Sequence, residues 1–336
     1  MTETSSQTEP QSDLSSLRLS VVIPTYNRKA SLLLALGALA KQTCPANQFE
    51  VIVVSDGSSD GSAEAVRDLK TPYRLRFMEQ KNSGPSVARN FGARIACAPV
   101  IVYLDDDIEP VSVFLEEHAK AHENDPTLVL IGPQSEPLGE AMPHFIAWEH
   151  AMLRKQYENF ESGVWKAGPN NLYSGNFSVR REHLIYVGGF NEKFTRQEDV
   201  ELGFRLAQIG LHFRYEGKAN GFHRPTRTFQ SWCKTPFEYG KRDVQMARDG
   251  GEEKALEMAQ EHFGQRNRIT RFLAKTCIGV PPLEAAIMTV CKVGAQSLPR
   301  KFALDFCSLL FNLRYLQGMS QELGGRQKLW NVMKSS

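Results

Sequence analysis

Three consecutive carboxylates, Asp105, Asp106 and Asp107, close the apolar run Val100-Ile101-Val102-Tyr103-Leu104 and are followed at once by Ile108-Glu109-Pro110. Five apolar residues without a helical period read as a strand buried on both faces, the pattern of a parallel sheet. The acids then stand at its carboxyl end, the edge where open α/β sheets bind ligands. Residues i and i+2 of an extended chain point the same way, so Asp105 and Asp107 can share one target while Asp106 faces another. Like charges so close need a cation, and hard oxygen donors in such a cluster suit Mg2+ or Mn2+ held together with substrate phosphates.

The elements that must position these acids can be read on either side of them. Residues 1–16 are rich in Ser, Thr, Glu and Gln and read as a disordered tail. Leu19 to Pro24 reads as a first strand stopped by its proline, and Tyr26-Asn27-Arg28 as a polar turn into a helix over 30–41. A second strand over 49–55 leads to the turn-rich Asp56-Gly57-Ser58-Ser59-Asp60-Gly61 and another helix. A third strand near 75–78 precedes Ser83, a candidate helix cap, and a helix whose Ala88, Gly92 and Ala96 form a small-residue face. Strands and helices alternating at this spacing imply right-handed βαβ units, a parallel sheet and helices on both faces. The loops after the strands then gather Thr25 to Asn27, Asp56 and Asp105 to Asp107 at one edge.

Val21-Val22-Ile23-Pro24-Thr25-Tyr26-Asn27-Arg28, Asp56-Gly57-Ser58-Ser59-Asp60, Ala88-Arg89-Asn90-Phe91-Gly92 and Leu104-Asp105-Asp106-Asp107 resemble, in that order, the motifs of family 2 glycosyltransferases of the GT-A fold. Ser174-Gly175-Asn176-Phe177, Gly188-Gly189-Phe190 and Glu198-Asp199-Val200-Glu201-Leu202-Gly203 extend the resemblance over residues 19 to 225. It implies a Rossmann-like, mostly parallel central sheet with helices on both faces, here followed by a C-terminal α-helical extension. The expected division is a catalytic domain over 17–250, with a nucleotide-binding half to 110 and an acceptor-binding half from 111, and a basic, amphipathic helical extension over 251–336.

The resemblance further implies a metal-dependent, inverting transfer of a sugar from a nucleoside-diphosphate sugar to a hydroxyl acceptor, in cell-surface polysaccharide or glycolipid synthesis. Pro24, Tyr26 and Asn27 would lie against the nucleotide, Arg89 would belong to the same donor site, and Asp56 would accept from the base. A carboxylate offers only acceptor lone pairs, which suits the N–H of a uracil or thymine ring; a UDP-sugar is the expected donor. Asp105 and Asp106 would divide ribose and metal-water contacts, Gly175 and Asn176 would line the donor sugar, and Asp107 with Asp105 and His223 would hold Mn2+ or Mg2+. Asp199 would be the general base, with Glu198 beside it on the acceptor side. Trp148 and Trp165 would stack on the acceptor, although aromatics at such spacing also make core. His118 and His122, four apart on a helix without converging ligands, read as a solvated face.

Two other readings use the same residues. A sugar nucleotidyltransferase also pairs acids with a nucleotide-binding α/β domain, but carries a Gly-rich, basic loop where this chain has Pro24-Thr25-Tyr26-Asn27-Arg28. A catalytically silent nucleotide-sugar-binding module would have no use for Asp107, Asp199 and His223 together.

Six scattered cysteines without a CxxC pair, and the lack of a signal peptide pattern, read as reduced thiols of a cytoplasmic protein; nucleic-acid binding is not expected. The net charge of +2 hides an asymmetry, because residues 264–336 carry eleven Lys or Arg against three acids. Phe302, Phe306, Leu309, Leu310, Leu313 and Leu316 fall on one helical face there, with a similar face at Leu283, Ile287 and Val290. Such helices can pack on a catalytic domain or lie on the inner face of the cell membrane.

Overall fold

In the computed structural model, which describes residues 14–194, 196–249 and 253–333, the apolar runs form strands and the stretches between them helices. β1 (Leu19–Thr25), α1 (Lys29–Leu39), β2 (Phe49–Ser55), α2 (Ser62–Arg67), β3 (Arg74–Glu79), α3 (Pro85–Ile95) and β4 (Val100–Leu104) alternate as expected. β1, β2 and β4 are buried at every position, so both faces of the sheet are covered. Val21 and Ile23 pack with Leu32, Leu36 and Leu39 of α1, whereas Val22 on the opposite face packs with Ala88 and Ala93 of α3. The tail expected over 1–16 lies outside the described residues as far as 13. Its end, Leu14–Ser16, forms one 3-10 turn, with Ser16 donating to the Asn47 carbonyl.

The chain continues through β5 (Ile108–Pro110), α4 (Phe114–Ala121), β6 (Leu128–Ile131), β7 (Gln134–Ser135), α5 (His144–Glu161), β8 (Asn176–Arg180), α6 (Arg181–Tyr186), α7 (Glu198–Gln208), β9 (His212–Tyr215) and β10 (Gly221–His223). The main sheet has the order β3-β2-β1-β4-β8-β6-β9. β8 runs antiparallel to its neighbours β4 and β6, and the remaining pairs are parallel. A small sheet, β5-β10-β7, starts directly after the acids and sets His223 opposite Ile108.

Proline does not end β1. The Thr25 carbonyl accepts from Asp56 N, so Thr25 faces β2; Pro24, one residue earlier, faces the β4 side, where the ladder has already ended at Val22–Tyr103. Its missing N–H therefore costs no ladder bond. The small-residue face of α3 is present: a Cβ on Gly92 would collide with Val22. Ser83 does not cap that helix. Its hydroxyl turns back to Lys81, and the helix entry is held instead by Asp56.

The chain divides into two compact units, an α/β unit of residues up to Gly139 with Leu153–Pro225, and a helical unit of Glu140–Met152 with the residues from Thr226 onward. The helical unit thus begins earlier than the expected boundary at 251. It contains the start of α5 together with α8 (Phe229–Asp249), α9 (Glu253–Gly264), α10 (Arg268–Cys277), α11 (Pro281–Ser297), α12 (Arg300–Leu323) and α13 (Arg326–Val332). α8 belongs to it because Gly240 and Gly318 let α8 and α12 meet backbone to backbone; a Cβ on either would strike the carbonyl of Tyr315 or Phe237. Leu310, Leu313 and Leu316 are buried against Trp232 and Cys307, with Phe306 and Leu309 packed on them. That face of α12 is the interior of the unit and is not a membrane surface. Among the described residues no helix is long and apolar enough to cross a membrane.

Candidate active site

The β1–α1 and β2–α2 turns are latched to each other. Asn27 adopts φ 52°, a left-handed conformation that Asn tolerates better than most residues, and its amide donates to Ser58 Oγ at 3.0 Å while its side-chain oxygen accepts from Ser59 N at 2.8 Å. Asp60 accepts from Lys29 N at 2.8 Å and from Ser62 N at 3.1 Å, capping α1 and α2 together. Tyr26 is 50% exposed at the rim, Pro24 is buried within β1, and Asp56 is buried behind the second turn. The Asp56 carboxylate accepts three bonds, from Gln80 Nε2 at 2.8 Å, Ser83 N at 2.7 Å and Gly84 N at 2.9 Å.

The three acids after β4 separate into different environments. Asp105 Oδ1 accepts from Arg89 Nη2 at 2.8 Å, and Arg89 Nη1 donates to Glu198 Oε1 at 3.1 Å. Asp106 accepts from Thr25 Oγ1 at 2.7 Å and from Arg28 Nη1 at 3.1 Å. Asp107 Oδ2 accepts from the same Arg28 nitrogen at 2.7 Å, while its Oδ1 lies 3.6 Å from His223 Nε2. Burial pushes the Asp106 carboxyl up to about 6, with Arg28 pulling it down and Asp107 adding to the rise. Burial disfavours ionised Asp107 as well, but the hydrogen bond and charge of His223, followed by Arg28, outweigh it and hold this carboxyl below its ordinary value.

At the entry to α7, Gln197 takes a left-handed φ of 56° and provides no side-chain cap. Strain of this kind persists where surrounding structure imposes it, often at functional sites. Asp199 accepts from Ser174 N at 3.1 Å and from Val200 N at 2.9 Å. Its burial, and then the neighbouring charge of Glu198, push it up to about 7. Gly175 supplies the close approach between these groups: its carbonyl accepts from Asp105 N at 3.2 Å, and a Cβ there would lie 2.9 Å from Asp105 Oδ2. Arg89, nearly buried over the Phe190 ring, therefore ties the end of β4 to the start of α7.

Several expected site residues lie elsewhere. Asn176 is fully buried and donates to the carbonyls of Pro133 and Ala219 at 2.8 and 2.9 Å, so it braces β8 and does not line a donor sugar. Trp148 sits inside the helical core, 4.9 Å from the Phe311 ring and 5.8 Å from that of Trp232, where it cannot stack on an acceptor. Trp165, by contrast, is 48% exposed, and nothing buries it away from an acceptor. Asp105 turns to Arg89 and does not join Asp107 and His223; among the described residues no three carboxylate, imidazole or thiol groups converge as a metal cage. His118 and His122 are not solvated. They are buried and share Ser178 Oγ at 2.8 Å each, and burial above all lowers them to about 3 and 4. Arg28 carries no role in the motif reading, although a cation beside Tyr26-Asn27 in a chain with three acids to neutralise is a readable signal.

Carboxylates collected at the carboxyl edge of a mostly parallel, helix-covered sheet, with a second acid site at a facing helix start, define a GT-A fold. Two solved structures share it: TarS residues 1–349 from S. aureus in complex with UDP (TM-score 0.54, 18% identity, covering 92% of each chain) and the mannosyltransferase PcManGT from Pyrobaculum calidifontis in complex with GDP-Man and Mn2+ (TM-score 0.60, 21% identity, covering 89% of this chain and 86% of that one). Residues 20–186 match the family described as Glycosyl transferase family 2, and the chain belongs to that family. A validoxylamine A glucosyltransferase of Streptomyces hygroscopicus subsp. jinggangensis is 32% identical over 233 residues, 62% of this chain and 55% of that protein. The chain spans about half the length of the curated relatives it matches first.

Proposed function

We propose that this chain transfers a sugar from a nucleoside-diphosphate sugar, UDP-linked, to an acceptor hydroxyl with inversion at the anomeric carbon. The observation that carries the reading is the run from Asp105 through Arg89 to Glu198 and Asp199, which ties the acid cluster to a carboxylate at about 7, suited to taking a proton near neutral pH. Asp199 accepts the acceptor's hydroxyl proton as that oxygen attacks C1, the bond from C1 to the phosphate oxygen breaks, and the nucleoside diphosphate leaves. With one base and no enzyme nucleophile the displacement is direct, and the configuration inverts. A divalent cation, Mn2+ or Mg2+, fits Asp107 and His223: a carboxylate oxygen and an imidazole nitrogen lie 3.6 Å apart, and such ions complete their shell with substrate phosphates and water. When bound it would neutralise charge on the departing diphosphate.

Asp56 favours uridine. A carboxylate has about four lone-pair sites and three are filled, which leaves room for the single imide N–H of uracil and not for the two donors of a guanine edge. A panel of nucleotide sugars with Mn2+, read as released nucleoside diphosphate, tests both parts. UDP-sugars should turn over, and UDP should bind roughly tenfold more tightly than GDP because an unmet buried donor costs about 1–3 kcal/mol. Equal binding of GDP would remove the uridine assignment. Release of pyrophosphate from a nucleoside triphosphate, with no nucleoside diphosphate from any sugar donor, would make the chain a nucleotidyltransferase.

The helical unit supports a saccharide acceptor linked to lipid, reached from an anionic membrane surface. Ile269, Phe272, Val290, Val293 and Phe302 are each more than half exposed, and they lie on α10, α11 and the start of α12. Arg268, Arg271, Lys275, Lys292 and Lys301 stand among them, and none of these five forms an ion pair with a described residue. Exposed apolar groups interleaved with unpaired cations fit an anionic bilayer. A second copy of the same face would set cation against cation.

A further inference from the structure

We propose that Arg28 is a displaceable internal counter-ion, which occupies Asp106 and Asp107 until the diphosphate arrives and then passes to the phosphates as Asp107 is taken up by the divalent cation. The inference rests on the metal-assisted donor binding proposed above. One nitrogen of Arg28 bridges the two acids, 3.1 Å from Asp106 Oδ1 and 2.7 Å from Asp107 Oδ2, and the two carboxylates are only 5% and 6% exposed. Buried carboxylates stripped of their cation are strongly unfavourable, so a site that must accept a metal has reason to carry a positive charge of its own. That charge also stands in the way of an arriving cation. A divalent ion on Asp107 would face the guanidinium across one carboxylate, and the two repel.

Arg28 can leave, and Arg89 cannot. The Arg28 side chain is 38% exposed and is anchored only at the residue before α1. Arg89 is 5% exposed, with one terminal nitrogen on Asp105 and the other on Glu198. A guanidinium suits phosphate oxygens because its donors form a rigid fork that can bind two at once. A nucleoside diphosphate therefore gives Arg28 a better partner at the moment Asp107 gains its own, and metal and nucleotide become thermodynamically coupled through one side chain.

The test is a titration of Mn2+, followed by its electron paramagnetic resonance signal, into the full chain with and without UDP. Wild type should bind Mn2+ weakly alone and more tightly with UDP. Arg28→Gln, which keeps hydrogen bonding and removes the charge, should bind Mn2+ on the order of tenfold more tightly without nucleotide, and the enhancement by UDP should shrink by a similar factor. Arg28→Lys should retain most of the coupling. If Arg28→Gln matches wild type both with and without UDP, the exchange is wrong and Arg28 is a structural ion pair. If none of the three proteins binds Mn2+ under either condition while UDP binding persists by calorimetry, the exchange and the metal assignment fall together and donor binding stands.

Discussion

At the scale of single residues the site works by unequal treatment of like groups. Asp105, Asp106, Asp107, Glu198 and Asp199 are all carboxylates, yet only Asp199 couples a raised pKa to a position without a cationic partner in direct contact. A base must be ionised to act, so kcat/KM should rise with pH and level off above about 7, the value to which burial and Glu198 push Asp199. Glu198→Gln removes the repelling charge and also releases Arg89 toward Asp199. Both effects favour the ionised base, so the acid limb should move to lower pH. Asp199→Asn keeps the shape and loses the basicity; turnover should drop by about 10²–10⁴ with donor binding nearly unchanged. A limb that stays in place in Glu198→Gln, or near-normal turnover of Asp199→Asn, would assign Asp199 to positioning α7 and send the search for the base to Glu201.

At the scale of elements, two helix glycines separate propensity from packing. In an exposed helix interior Gly→Ala gains about 1 kcal/mol, whereas forcing one extra carbon into a filled core costs about 1–3 kcal/mol. Gly37 of α1 has open space where a Cβ would stand, and Gly92 of α3 has Val22, a stiff residue buried in β1. Gly37→Ala should therefore raise the urea midpoint of the α/β unit and Gly92→Ala should lower it, the latter also loosening Arg89 one turn earlier. A higher midpoint for Gly92→Ala would mean that α3 has slack against β1. The elements legible in the sequence are those whose partners are local: β1, β2 and β4 announced themselves as apolar runs, and the acids marked the end of β4. Less legible were the contacts that join distant stretches. Nothing near His118 or His122 names Ser178, some 56 to 60 residues away, so a buried network looked like a solvated helix face. Nothing local turns β8 antiparallel, hides Asn176 inside, or directs Asp105 to Arg89 and away from His223.

At the scale of the whole molecule, the charge asymmetry that set residues 264–336 apart has a different carrier from the one the helical period suggested. The apolar face of α12 is consumed by α8 and α11 in the core of the helical unit, because a long helix with leucines at 309, 310, 313 and 316 is what such a core is built around. What remains outside is one face each of α10 and α11, whose other faces supply Ala274, Cys277, Met288 and Cys291 to the same core. Among the described residues, seven of the sixteen large hydrophobic side chains that are exposed lie between Ile269 and Phe302, about a tenth of the chain, and scattered exposure would not concentrate them so. Over the same span Glu284 is the one acid, and its carboxylate is engaged by Gly279 N and Gln317. Flotation with vesicles should then show binding to anionic phosphatidylglycerol mixtures and little to neutral phosphatidylcholine. The attraction should weaken as salt rises, since cation contributions of about 1 kcal/mol each near the surface are screened. Val290→Glu with Val293→Glu should abolish flotation without disturbing the urea midpoint, because both side chains face water in the isolated chain. Equal flotation of this double variant, or no flotation of the wild type with anionic vesicles at low salt, would remove the membrane from the account and leave the exposed face to a protein partner.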